Sequence, residues 1–130
     1  MREEIQNTWM QSEEDLKTAE LIIEIGRFYA SVFFSQQAAE KALKALYIYQ
    51  KRLLPKTHNI VELASDLGAP DEVIEACQEL NPDYVTTRYV DAANGVPAQM
   101  YSRRSAITHL EYAKTVIAWT QQHLPSLKNS

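Results

Sequence analysis

The sequence predicts an all-α protein, an antiparallel up-and-down bundle of four to five helices. Three observations carry this expectation. Long segments repeat apolar residues at steps of three and four, the spacing of one helix face. Gly 3 and Pro 5 in 130 residues are too few for a turn-rich β-sandwich or barrel. No stretch shows the strict alternation of a strand, and no internal repeat or low-complexity tract interrupts the pattern.

The first segment runs from about Arg2 to Ile25. Ile5, Trp9, Ser12, Leu16, Ala19 and Ile23 form its stripe, with Glu13, Glu14, Lys17, Glu20 and Glu24 opposite. Gly26 is the natural stop, because glycine takes the left-handed conformation at a helix end. The second runs from about Tyr29 to Arg52, on a stripe of Phe34, Ala38, Ala42, Ala45 and Tyr49 flanked by Phe33, Leu43 and Leu46, and Phe33, Phe34, Leu43 and Leu46 make an apolar sector wide enough to be expected to pack against a second copy of the chain. Its alanines admit a close neighbour. Each of these helices would be about 35 Å long, and so short a break between them makes them antiparallel.

Leu53 to Thr57 reads as a loop, since Pro55 disfavours helix at the residue before it. Asn59 with Glu62 reads as an N-cap and its partner, opening a short helix that Gly68 ends. Asp71 to Leu80 is a second short helix, stopped by Asn81-Pro82. Asp83 to Arg88 has some helical character, and Tyr89 to Tyr101 reads as a true loop, long enough to be functional or mobile. Ser102 caps a last long helix to about His123, with Ala106, Leu110, Ala113, Ile117 and Leu124 near one stripe.

Hydrophobic residues at 45% and charged residues at 23% suit one globular domain, expected over residues 1–125 with a fraying tail at 126–130. The net charge of −4 does not advertise nucleic-acid binding by the whole-protein field. Cys77, the single cysteine, excludes an intrachain disulfide and reads as a small buried hydrophobe. There is no run of 18 apolar residues and no signal-peptide pattern, so a cytoplasmic protein with no membrane partner is expected.

The chemistry is narrowed first by exclusion. His58, His109 and His123 do not pair at helical ligand spacing, and Glu13, Glu14 and Asp15 fan around a helix as a solvated acidic face. Neither a metal nor a cofactor is expected. No glycine-rich phosphate loop and no nucleophile elbow is present. Basic residues are better organised. Lys41, Lys44, Lys51 and Arg52 follow one another along the second helix, and Arg88, Arg103 and Arg104 lie in and after the long loop. They form either a local phosphate- or RNA-binding surface or a solvated face neutralised by neighbouring acids. Tyr84, Tyr89 and Tyr101 bring rings near these arginines, either to stack on a base or to pin the loop to the bundle. His58 falls in a Thr-His-Asn group that reads as helix capping. Arg104 and His109 together hold the minimum for metal-free RNA cleavage, a cation for phosphorane charge and an acid–base group. Five residues apart on a helix, they are separated by about 140°, so a shared site needs the arginine to wrap or two subunits to pool residues.

These residues together resemble the HEPN family. The likeness runs through Trp9 with Asp15-Leu16, through Phe33-Phe34-Ser35-Gln36-Gln37-Ala38-Ala39-Glu40-Lys41-Ala42-Leu43-Lys44-Ala45, then Thr57-His58-Asn59-Ile60, Arg88-Tyr89 and Tyr101. The resemblance implies a helical bundle that forms a homodimer and accompanies a minimal nucleotidyltransferase in a toxin–antitoxin-like pair. It implies a nucleotide- or RNA-directed role, with two readings: a metal-independent RNase, or a non-catalytic binding or scaffold module. For the RNase the family motif is Arg-x4–6-His, which falls on Arg104 and His109, with Ser105 where an Asn, Asp or His often follows the arginine. In the branch the chain looks closest to, the recurrent polar residues match His58 and Arg88. The expected nucleotide- or RNA-binding set is Lys41, Lys44, His58, Arg88, Tyr89 and Arg103.

Overall fold

The computed structural model describes residues 2–125. The expected fraying of 126–130 lies outside the described residues. Helices α1 (Arg2–Glu24) and α2 (Phe28–Lys51) are the long pair, followed by α3 (Ile60–Asp66), α4 (Asp71–Leu80), α5 (Asp83–Thr86), α6 (Val90–Ala93), a 3-10 turn at Pro97–Gln99 and α7 (Arg103–His123). Among the described residues no strand forms. The all-α bundle expected from the periodicity is the architecture observed.

Gly26 turns the chain between α1 and α2 with φ of +77°, where a side chain would be strained. The two helices pack along each other, and α2 is the central element, with α7 and α3 also against it. The α1 stripe of Ile5, Trp9, Ser12, Ala19 and Ile23 is buried as its spacing requires. Two of its neighbours are fixed by hydroxyls: Ser12 Oγ donates to the Ala38 carbonyl at 2.6 Å and Ser31 Oγ to the Ala19 carbonyl at 2.7 Å. These bonds satisfy the hydroxyls where α1 and α2 lie too close for larger side chains, which is what Ala38, Ala42 and Ala45 permit. Under α2 the main core gathers Leu43, Leu46, Ile60, Leu63, Val73, Cys77, Leu80 and Val116.

The caps follow the sequence. Asn59 accepts from the Glu62 N–H at 3.1 Å. Ser102 and Ser105 form a reciprocal capping box at the head of α7.

Three expectations are corrected. Residues 89–101 are not an unstructured loop. Asn94, with φ of +55°, closes the single turn of α6 and the 3-10 turn follows. One turn is too short to show a period in the sequence. Asp15 is not part of a solvated acidic face; it is buried between Gln11, whose amide donates to it at 2.8 Å, and Lys41. Leu43 and Leu46, read as flanking apolar surface, are wholly buried within the chain's own core.

Candidate functional site

The site is built on the middle of α2. Gln36, Glu40 and Lys44 recur at steps of four, so they stack along one helix face. Glu40 is buried and its carboxylate is the hub. Gln36 Nε2 donates to Oε1 at 2.9 Å, and Lys44 Nζ donates to Oε2 at 2.6 Å. The third ligand of this hub comes from the loop after α2. Arg52 adopts a left-handed conformation, with φ of +62°, as the helix ends. Thr57 Oγ1 then accepts from the Asn59 N–H at 3.0 Å, and the Asn81 side chain accepts from the Ile60 N–H at 3.0 Å. With Asn59 and Ile60 thus held, His58 Nδ1 lies 2.7 Å from Glu40 Oε2. An ionised carboxylate only accepts, so Nδ1 carries the hydrogen and donates. Burial pushes the Glu40 carboxyl up, but the hydrogen bonds from Lys44, Gln36 and His58 outweigh it and hold its pKa below the ordinary carboxylate value.

The next layer comes from α5. The Tyr84 ring stacks on the His58 imidazole, with centroids 4.5 Å apart and planes 19° from parallel. Arg88, one turn further along, lays its guanidinium 4.4 Å from the Tyr84 centroid and 4.8 Å from that of Phe33 on α2. A continuous row results: Lys44, Glu40, His58, Tyr84, Arg88, Phe33. Beside it, between α1 and α2, lies an open groove of about 430 Å³ lined by Asn7, Gln11, Gln37, Lys41, Lys44 and His58, among others.

A second polar cluster lies between α5 and α7. Asp83 is buried, and Tyr101 Oη donates to its Oδ1 at 2.9 Å. His109 Nε2 sits 2.9 Å from Asp83 Oδ2, an ion pair whose direction falls outside hydrogen-bond alignment. His109 Nδ1 donates to the Ser105 carbonyl at 2.6 Å. Burial pulls the His109 pKa down, but the Asp83 carboxylate beside it and the Ser105 carbonyl raise it above the ordinary value. Both nitrogens face acceptors, which suits the imidazolium. Burial and the Asp83 carboxylate raise the Tyr101 pKa, so its hydroxyl stays protonated.

The sequence-derived residues therefore divide. Lys44, His58 and Arg88 come together in the α2–α5 row. Lys41 faces the adjoining groove, paired with Asp15. Tyr89 is 53% exposed and has no ring or ion partner among the described residues. Arg103 packs its guanidinium over Phe28, 5.1 Å from the centroid. Arg104 is exposed on the first turn of α7 and makes no hydrogen bond, ion pair or ring contact with His109 within the chain. His58, read as part of a capping group, leaves capping to Asn59 and turns to Glu40 instead. Of the tyrosines, Tyr84 joins the cationic row and Tyr101 pins the 83–101 segment. Sequence reasoning missed Glu40. The signal was its spacing of four from both Gln36 and Lys44, and its place as the one charged residue among the buried positions of α2. Cys77 is buried as expected, and burial pushes its thiol up to about 12, which leaves it inert.

A helical bundle with one face of cations and stacked rings defines the class of protein. The family model described as HEPN domain matches residues 5–124. TT1696 from Thermus thermophilus is similar in structure, with a TM-score of 0.85 at 30% identity, over 92% of this chain and 98% of that one. ST0689, described as an archaeal HEPN homologue, superposes with a TM-score of 0.80 at 28% identity over 91% and 95% of the two chains. An HEPN domain protein from Thermotoga maritima, tm0613, gives 0.70 at 26% identity over 89% and 95%. No curated protein matches the chain. The chain belongs to the HEPN domain family.

Proposed function

We propose that this protein is an RNA-directed HEPN module that seats single-stranded RNA on the α2–α5 row. The observation that carries the reading is the Tyr84 ring, held between His58 and Arg88 and followed by Lys44. With both faces of Tyr84 covered, the ring that a base meets is the half-exposed His58, backed by Tyr84, and the neighbouring cations take the phosphates. Arg88 has no carboxylate partner among the described residues, so its charge is available to a phosphate. Lys44 is neutralised by Glu40 and contributes position more than free charge. The row thus supports local RNA binding despite the net charge of −4.

The test is fluorescence anisotropy with a labelled single-stranded RNA across a salt series. Tyr84→Ala, which removes the ring that backs His58 and carries Arg88, should weaken binding by about tenfold or more, the order of one lost stacking contact. Arg88→Ala should lower affinity for every sequence alike and flatten the salt slope by about 0.7, the share of one phosphate contact to a single strand. Unchanged affinity in both variants would overturn this assignment of the site.

In the same reading the protein is a cytoplasmic homodimer and one half of a toxin–antitoxin-like pair with a minimal nucleotidyltransferase. No described helix is long and apolar enough to cross a membrane. With Leu43 and Leu46 inside, the support for a dimer moves to Val85, Tyr89, Val90, Val96 and Met100, each at least 42% exposed in one short stretch. Light scattering at micromolar concentration should give twice the 14.9 kDa chain mass, and Val90→Lys should shift it towards the monomer. A monomer in the unsubstituted protein would remove this part of the reading.

A further inference from the structure

We propose that the Asp83–His109 pair is a proton-operated latch on α5, which holds Tyr84 and Arg88 in the RNA-binding row and lets them go when His109 loses its proton. The inference rests on the RNA-binding reading above and adds its regulation.

The latch follows from how α5 is anchored. Asp83 is the one buried residue of α5, and Ala93 that of α6. Val85, Tyr89 and Val90 point outwards and give the segment no apolar grip on the bundle. What grips is a carboxylate. Tyr101 Oη donates to Asp83 Oδ1, while Oδ2 accepts no hydrogen bond among the described residues and faces His109 Nε2 at 2.9 Å. No lysine or arginine pairs with Asp83 among the described residues, so the imidazolium is its counter-charge. The next residue faces the other way. Tyr84 stacks on His58, and Arg88, four residues on, lies over the Tyr84 ring. One residue of α5 thus joins α7 and its neighbour joins the row, so what moves Asp83 moves Tyr84.

The His109 ring has an oxygen at each nitrogen, the Ser105 carbonyl at Nδ1 and Asp83 at Nε2. The imidazolium has two N–H groups to meet them; a neutral ring has one. In either neutral tautomer a lone pair points at an oxygen, and Asp83 is left a buried anion without a counter-charge. Nothing packed around the ring replaces the lost charge. Glu79 on α4 adds a second negative charge, and Tyr101 and Tyr112 present ring edges with centroids at 6.1 and 6.4 Å. The carboxylate regains solvation by turning to water, which draws α5 away from α7. The folded-state pKa of His109 is raised, so the latch is closed below the ordinary imidazole value, about 6.5, and opens as pH rises through the folded value. RNA that binds the closed form should, by linkage, tighten the hold of His109 on its proton by the same factor that the proton adds to RNA affinity.

One arm of the test needs neither RNA nor a variant. Hydrogen exchange in the full chain, corrected for the intrinsic effect of pH and referred to α2, should rise in residues 84–89 between about pH 6 and about pH 9. The Arg88 and Tyr89 N–H groups, both bonded to the Val85 carbonyl, are the reporters. The second arm is fluorescence anisotropy with a labelled single-stranded RNA of adenosine and cytidine, whose bases keep their charge over this range. Affinity should fall about tenfold from the lower pH to the higher, the order of one lost stacking contact. Asp83→Asn keeps the shape and an acceptor for Tyr101 but needs no counter-charge, so its affinity should be level across the range. His109→Gln can reach Asp83 but carries no charge. It should bind at the lower pH as weakly as the unsubstituted protein binds at the higher. Level exchange in residues 84–89 would overturn the latch. So would a fall in affinity that persists in Asp83→Asn, the result that titration of His58 alone would give. Level RNA affinity in the unsubstituted protein would overturn the latch and leave the binding reading standing. Absence of RNA binding at both pH values would remove the binding reading and the latch with it.

Discussion

Asp83→Ala should destabilise the protein by about 3 kcal/mol or more at pH 6, a loss of roughly 10 °C in Tm for a chain of this size. Asp83 is 8% exposed at its side chain and serves two groups that are not on its own helix: the Tyr101 hydroxyl and the His109 imidazolium. Deleting it strands a buried charge and a buried hydroxyl at once. It also cuts the link between α5 and α7 that holds the intervening segment down. The cost should depend on pH with a defined sign. The folded-state pKa of His109 is raised, so its contribution is complete below the unfolded value, about 6.5. It fades as pH rises through the folded value. Urea unfolding followed by circular dichroism should therefore give a larger difference between the two proteins at pH 6 than at pH 9. An equal difference at both pH values would show that the packing of Asp83, and not its charge, holds α5 to α7.

The bundle was legible because its long helices are amphipathic for five or more turns, enough for the period to dominate local noise. Gly26, Asn59 and Ser102 marked helix ends because each performs a backbone task that few residues perform. The single turn of α6 has no such statistics and was invisible. The candidate site was legible only in its charged tips. Lys44, His58 and Arg88 stood out as residue types. The buried carboxylate that orients His58 did not, because the pairing spans 18 residues and depends on how the loop after α2 folds back. Asp15 was hidden for the same reason. Three acids in a row look like a solvated surface until the docking of α2 places Lys41 against one of them. Local periodicity reports which face is inward. It does not report which polar residue on that face meets a partner from another element.

Glu40→Ala should cost about 3 kcal/mol at pH 7, on the same physical grounds as Asp83→Ala but with the opposite pH signature. The substitution leaves the Gln36 amide and the Lys44 ammonium without their acceptor and frees His58 from the helix. Lys44 keeps 23% of its side chain exposed, so it can turn to water and limit the loss. Glu40→Met separates the missing charge from the missing volume. It fills the space with apolar atoms and should cost less than the alanine, although Lys44 and Gln36 lose the same bonds in both. The pH dependence identifies the carboxylate itself. The pKa of Glu40 is lowered in the folded state, so its contribution is complete above the ordinary carboxylate value, about 4.3. It disappears as pH falls through the folded value. The gap between the unsubstituted protein and Glu40→Met in urea midpoint should narrow from pH 6 to pH 3, whereas the part of the alanine penalty that comes from the cavity should persist. A gap that stayed constant through this range would mean that Glu40 stabilises the fold by volume alone, and it would deprive His58 of the anion that orients it.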